Sequence, residues 1–238
     1  MDGQAMTDTT DAIFGIMDTN RREPSLDDKK GSWQQQTLRA HQHIVVSPVG
    51  YSLRLVRIEE ELVIVLAEAM HCHNAILNCC GVLHRDILTN NILVVRESQD
   101  TLPRGLLIDL NFAVPVDRKK WTARPAQSGT LPYISIANLE NIYTARTALD
   151  DWESLLYVIY WLAKFGISSS HRNANAKLGH LPICQWQVGE ENTIAETKCG
   201  HMDTGRNFKT EIVENLQSNY ELLPSLATKL HKVLFAHG

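Results

Sequence analysis

A chain of 238 residues with 44% hydrophobic side chains is long enough for one large domain or two small ones and apolar enough to bury a core, which excludes a mostly disordered polypeptide. With 23 Lys and Arg against 27 Asp and Glu the net charge is −4, and the basic residues are scattered rather than gathered into a stripe, so nucleic acid is not an expected partner. Five cysteines, two of them adjacent at Cys79 and Cys80, do not suit a disulfide framework, and a reducing compartment, cytoplasmic or nuclear, is expected.

In chain order, the first residues, MDGQAMTDTTDAIF, hold three Asp and no early Lys or Arg, unlike the charged start of a signal peptide. Residues 18–36 are polar, contain Pro24 and Gly31, and read as a long loop or disordered insert. His43 to Val46 is a short β-branched run ended by Ser47, Pro48 and Gly50, the pattern of a strand entering a connector. From Ile58 to about Cys80, Leu62, Val65, Leu66, Ala69 and Ile76 fall largely at three- and four-residue steps and predict an amphipathic helix.

Asn91–Val95 and Gly105–Leu110, separated by the turn-rich RESQDTLP, predict a hairpin. Asn111 to Ile136 has little periodicity and reads as a long ordered loop or a functional segment. Leu149–Phe165 predicts the central helix of the core, with Leu149, Trp152, Leu155, Leu156, Ile159 and Leu162 on one face and further apolar residues between them. A polar loop, SSSHRNANAKLGH, precedes further short helices from Asn192, with Pro224 beginning or kinking the last. The longest apolar runs, Leu62–Ala67 and Leu155–Ala163, fall short of the roughly 18 residues a spanning helix requires, so no membrane partner is expected. Strands early and helices late make a mainly helical α+β chain.

Three segments hold polar groups where structure alone would not ask for them: GVLHRDILTNNILVV, GLLIDLNFAV and SGTLPYISI. Taken singly, His84, Arg85, Asp86 and Asn91 would make an Asx-rich turn between helix and strand. Together, in this order and spacing, they match a pattern with chemistry in it. His84-Arg85-Asp86 is followed after four residues by Asn91 and an apolar strand, as in H-R-D-x-x-x-x-N. Asp109 ends the run Gly105-Leu106-Leu107-Ile108 where D-F-G would stand, and Gly129-Thr130-Leu131-Pro132-Tyr133 matches G-T-x-x-Y. Asp150-Asp151-Trp152-Glu153-Ser154 then opens the predicted central helix.

These motifs resemble the fungal-type protein kinase family, whose members show HRDIS-x-NNIL, D-x-x-x-A, GT-x-P-[FY]-M-S and DD-x-ES-x-x-Y. The resemblance runs from about His43 to the C-terminus, with looser echoes at Leu181, Trp186 and Lys198. It implies a protein kinase-like fold: residues 1–42 a partial small-lobe segment, residues 43–238 a mainly helical large lobe with its hinge. It implies transfer of the γ-phosphoryl of Mg·ATP to Ser or Thr of a protein substrate. Asp86 would accept the hydroxyl proton, Asn91 and Asp109 would hold Mg²⁺ and so the ATP phosphates, and Thr130 would shape the hydroxyl site. His84 and Arg85 complete the catalytic group, Arg85 meeting an anionic activation-loop residue for which Thr122 and Ser128 are candidates. Asp151 is expected to cap its helix and to brace the backbone of His84 and Arg85.

Departures from the family pattern are equally specific. Leu88 stands where a Lys or Ser is usual, which removes a γ-phosphate contact. Asn111 replaces the D-F-G glycine, a substitution that left-handed backbone angles tolerate. Ala137 stands in place of the A-P-E glutamate, so its ion pair is expected to be missing. No G-x-G-x-x-G loop and no V-A-I-K strand lysine occurs, and Lys29 and Lys30 in their polar loop are poor substitutes. A degenerate pseudokinase acting as a protein-binding module is therefore the alternative in a second class. A small-molecule phosphotransferase is the third, opposed by Arg85 and by the Gly129–Tyr133 segment. HCHNAILNCC has no structural-zinc spacing and reads as core and surface positions of a helix. Trp152, Tyr157, Tyr160 and Trp161 read as core aromatics.

Overall fold

The first helix, α1 (Glu59–Cys80), carries Glu59, Glu60 and Glu61 in its first turn, where carboxylates complement the helix dipole. It ends because Gly81 turns left-handed at φ 62° and returns its N–H to the Leu77 carbonyl, a stop that a side chain would strain. The computed structural model describes residues 47–56, 58–98, 101–116, 130–140, 147–165, 181–216 and 220–235. The expected loop at 18–36, the strand at His43–Val46 and the polar loop at 168–180 lie outside them. Two compact units divide the chain, Met1–Val49 and Gly50–Gly238, and every element below belongs to the second.

The predicted positions Leu62, Val65, Leu66, Ala69 and Ile76 of α1 are all buried, joined by Met70 and His73. By length and composition α1 could also cross a membrane, which a search for unbroken apolar runs overlooks. In this structure its apolar stripe is part of the core shared with the sheet and the later helices.

The hairpin forms with slightly different bounds. Strands β3 (Ile92–Val95) and β4 (Arg104–Leu107) pair antiparallel, Ile92 opposite Leu107, and the second strand stops at Leu107 rather than Leu110. A short strand β1 (Tyr51–Ser52) adds to the other side of β3 in the order β1-β3-β4. β4 lies close against α1 because residue 105 is glycine: a Cβ there would stand 1.9 Å from the Val65 carbonyl oxygen and 2.9 Å from the Ala69 nitrogen. A second pairing joins β2 (Val82–Leu83) to β5 (Val114–Pro115), and β5 lies within the segment read as loop. Two residues a strand is too short for periodicity to show.

Helix α2 (Ile136–Leu139) is a single turn, and α3 (Ala148–Phe165) is the buried centre of the domain, as expected. Leu155, Leu156, Tyr157, Val158, Ile159, Tyr160, Leu162 and Ala163 are all core. Leu149 is a correction: it is 61% exposed, because the helix starts one residue earlier and its first turn reaches into solvent. Trp152 and Trp161 are half-buried at the core's margin, whereas Tyr157 and Tyr160 are inside it.

The later α-helices are α4 (Pro182–Gln185), α5 (Glu191–Met202), α6 (Gly205–Asn207), which continues into wider and tighter helical turns over 208–215, and α7 (Leu222–Phe235), with Pro224 in the first turn of the last, where its missing N–H costs nothing. The Glu59 carboxylate of α1 accepts from the N–H groups of Glu221 and Leu223, capping α7 from across the core. The architecture is therefore mixed α+β and mostly helical, with one three-stranded and one two-stranded sheet among the described residues.

Candidate functional site

Between β2 and β3 the chain from His84 to Asn91 makes an irregular loop, and irregular backbone near a core must find its hydrogen-bond partners somewhere. Two of the loop's N–H groups share one carboxylate. Asp151, buried in the first turn of α3, accepts from the His84 N–H at 3.1 Å and from the Arg85 N–H at 2.9 Å. His73 of α1 donates from Nε2 to the same carboxylate at 2.7 Å. Asp151 thus braces the backbone of both residues as expected, but it does not cap its helix. That work falls to Thr147 and Asp150, where the Thr147 N–H meets the Asp150 carboxylate at 2.7 Å and the Asp150 N–H returns to the Thr147 carbonyl.

His84 is buried and locks the other side of the loop. Its Nε2 donates to the Ile108 carbonyl at 3.0 Å, which leaves Nδ1 to accept the Asp86 N–H at 3.3 Å, so one neutral tautomer serves both contacts. Burial pushes its pKa below the ordinary imidazole value, with the Ile108 carbonyl pulling back the other way. The Asp86 carboxylate accepts from Asn91 Nδ2 at 3.0 Å, and the same amide donates to the Asp86 carbonyl at 2.9 Å. Burial raises the Asp86 carboxyl above its usual range, opposed by the Asn91 bond and by His84, while nearby Asp109 adds to the rise and the Thr130 N–H bond opposes it.

With Asn91 Nδ2 committed to Asp86, Oδ1 is the amide's acceptor atom. The Asn91 carbonyl accepts from Ile108, which brings Asp109 alongside. Asp109 is exposed at the end of this pairing, and its Oδ1 accepts the Asn111 N–H at 3.2 Å. Here the left-handed residue is Asp109 itself, at φ 68°; Asn111 sits in the helical turn Leu110–Phe112 and has no such angle. Among the described residues only Arg85, at φ 69°, shares this conformation without being glycine. Each such residue costs about 1–3 kcal/mol, and both fall in this loop-and-hairpin region, where such costs tend to concentrate.

Thr130, beyond residues 117–129, which lie outside the described part together with Thr122, Ser128 and Gly129, starts the helical turn Leu131–Tyr133. Asp86 and Thr130 open onto one crevice with Tyr133, Ser135, Asn138 and Asp150. Tyr133 is buried, which raises its phenol to about 12, and it hydrogen-bonds Thr89 of the catalytic-type loop. Leu88, the departure two residues after Asp86, points into the core. All six predicted site residues thus fall within one neighbourhood: His84, Arg85, Asp86 and Asn91 on the loop, Asp109 at the end of the hairpin, Thr130 facing Asp86. Lys29 and Lys30 lie outside the described residues.

Three further residues hold this region in ways the sequence reading did not foresee, although Glu153 and Lys198 were named there as family-motif positions without a role. His73 was read only as a helix position. Glu153 of α3 accepts the Ile136 N–H at 2.8 Å and the Tyr157 hydroxyl at 2.5 Å. Lys198 of α5 is completely buried and donates to the carbonyls of Ile134 at 2.6 Å and Pro132 at 3.0 Å. The signal for Lys198 was available: it interrupts the buried stripe Ile194, Ala195, Met202, where a cation has no reason to stand unless it is paired.

The order of these segments is that of a protein kinase catalytic region, and a family comparison agrees. The model for the fungal protein kinase family matches residues 4–163, about two thirds of the chain. The chain belongs to the fungal protein kinase family. The match begins well upstream of His43 and ends inside α3, so it takes in the loop, hairpin and Asp150–Ser154 motifs but not Leu181, Trp186 or Lys198. No curated protein sequence matches the chain.

Proposed function

We propose that this chain is a protein kinase-like large lobe that transfers the γ-phosphoryl group of Mg·ATP to a Ser or Thr hydroxyl of a protein substrate. The observation that carries this reading is the aim of Asp86: its carboxylate is fixed by Asn91 and Thr130 on a loop whose backbone is tied to Asp151. A base held this way meets an incoming hydroxyl without reorganising, and its raised proton affinity suits proton acceptance. Thr130 lines the same crevice as Asp86.

The donor set suits a hard cation. Asn91 Oδ1 and the exposed Asp109 carboxylate are oxygen ligands on adjoining positions, and Mg²⁺ characteristically takes one or two protein oxygens together with phosphate oxygens. When bound, Mg²⁺ neutralises charge on the phosphates. Asn91 orients its own amide oxygen by giving its nitrogen to Asp86, so base and metal ligand are set by one hydrogen bond.

The test is phosphoryl transfer to a Ser/Thr protein substrate with Mg²⁺ varied. Asp86→Asn is expected to lower kcat by roughly 10²- to 10⁴-fold with nucleotide affinity nearly unchanged. Full rate in Asp86→Asn would overturn the assignment of the base. Absence of transfer by the wild type would favour the second reading, a pseudokinase binding module. That reading draws on the lack of any G-x-G-x-x-G loop and of a V-A-I-K lysine in the sequence.

A further inference from the structure

The six residues after Thr130 pack over two polar side chains, the buried Lys198 and the half-buried Glu153. Lys198 directs its ammonium at the carbonyls of Ile134 and Pro132, with the Leu131 carbonyl at 3.5 Å, while Glu153 takes the Ile136 N–H. A backbone segment that would otherwise need strand or helix partners has its carbonyls facing a cation and its N–H facing an anion. The ammonium also lies over two rings, 4.0 Å from the centre of Tyr157 and 5.2 Å from that of Trp186. Tyr157 in turn donates to Glu153, which closes the arrangement.

An apolar side chain would fill this space without the cost of removing a charge from water, so packing alone does not account for a lysine here. What the lysine adds is direction. Across the same segment, Thr130 donates its N–H to Asp86 and Tyr133 bonds Thr89, so one side meets the catalytic-type loop and the other meets Lys198 and Glu153. Ala137, where an ion-pairing glutamate was expected, contributes no charge; Glu153 and Lys198, borne by α3 and α5, hold the segment instead.

We propose that Lys198, with Glu153, is a positioning residue that holds the Thr130–Ile136 segment in register with Asp86 and so orders the surface that receives the protein substrate. The substrate part of this proposal rests on the kinase reading; the ordering of the segment does not. Its effect passes through backbone carbonyls, so neither Lys198 nor Glu153 touches substrate.

Hydrogen exchange in Lys198→Met, which keeps the length of the stem and removes the charge, tests the ordering. The amides of Tyr133, Ile134 and Ile136 are expected to exchange at least about tenfold faster, with those of the α1 and α3 interiors unchanged. Where transfer is measurable, KM for the protein substrate should rise while KM for ATP stays put, and Lys198→Arg should recover part of the loss. Unchanged exchange in Lys198→Met overturns the proposal. If that variant does not fold, Glu153→Gln decides: it keeps an acceptor for Ile136 and loses the charge facing the ammonium, and unchanged exchange there overturns it equally. A wild type that transfers no phosphoryl group defeats the kinase reading and leaves the exchange result standing on its own.

Discussion

The loop from His84 to Asn91 and the turn at Asp109 lie side by side, yet they are held by different means. The loop is buried and tied at both edges, its backbone to Asp151 and its His84 ring to Ile108. The turn is exposed, with Leu110 and Phe112 each 43% accessible, and it closes on itself through Asn111 and Ala113. Both nevertheless carry a left-handed residue that is not glycine. The difference fits the two tasks proposed for them. A general base has to be aimed before its substrate arrives, whereas a metal ligand that shares its ion with phosphate oxygens can take its final orientation from the ion.

The strongest way to break this contrast is Asp151→Ala. Two backbone donors and the His73 ring lose their buried acceptor together, and unfolding by urea should show a loss of about 3 to 5 kcal/mol. A loss below about 1 kcal/mol would mean that the loop holds itself. Next comes the helix that carries Asp151. Leu162→Ala should cost about 2 to 5 kcal/mol in the same measurement, and Leu149→Ala, at its exposed start, less than about 0.5 kcal/mol.

Gly105→Ala probes the hairpin that leads to Asp109. Its Cβ would collide with the α1 backbone, which cannot yield as a side chain would, and about 1 to 3 kcal/mol should be lost. On the turn itself, Asp109→Asn should change unfolding by less than about 0.5 kcal/mol, since only the Asn111 bond is altered and an amide oxygen can still accept it. The same variant should abolish any Mg²⁺-dependent rise in melting temperature on adding ATP. An Asp109→Asn protein that melts early would show that the turn is as load-sensitive as the loop.

The smallest effect separates the two regions by pH. Burial holds His84, His201 and His231 below the ordinary imidazole value of 6.5. The unfolded chain therefore takes up protons first as the pH falls through 6.5, and stability is lost on acidification rather than gained. Melting temperature should drop between about pH 7.5 and pH 5, and His231→Gln should flatten that slope by removing one of the three contributors. His231 is the safer position to alter because it stacks between Phe208 and Phe235, away from the loop. An unchanged slope in His231→Gln would mean that His84 and other groups carry the acid response.

Much of this was legible beforehand where the pattern was local. The periodicity of α1 and α3, the hairpin around RESQDTLP and the late Pro224 helix are all short-range properties of the chain. The six candidate site residues were picked out for a different reason, since the resemblance fixes both their types and their spacing, and the structure brings them into one neighbourhood. The β2–β5 pairing was not, because two-residue strands leave no period, and neither was the exposure of Leu149, because helical spacing says which residues share a face but not how far the core extends along it.

The sequence by itself determined which residues form the loop, the hairpin and the central helix, because caps, turns and apolar steps act over a few residues. The family resemblance led us to expect the Asp151 brace on His84 and Arg85, whereas the hold of Lys198 and Glu153 on the segment after Thr130 was decided only by the tertiary structure. Asp151 meets Arg85 across 66 positions of chain, and Lys198 meets Ile134 across 64. Such partners are chosen by which helix the core brings beneath which loop. A buried charge then settles on whatever backbone groups lack a partner there, and no local pattern in the sequence records that outcome.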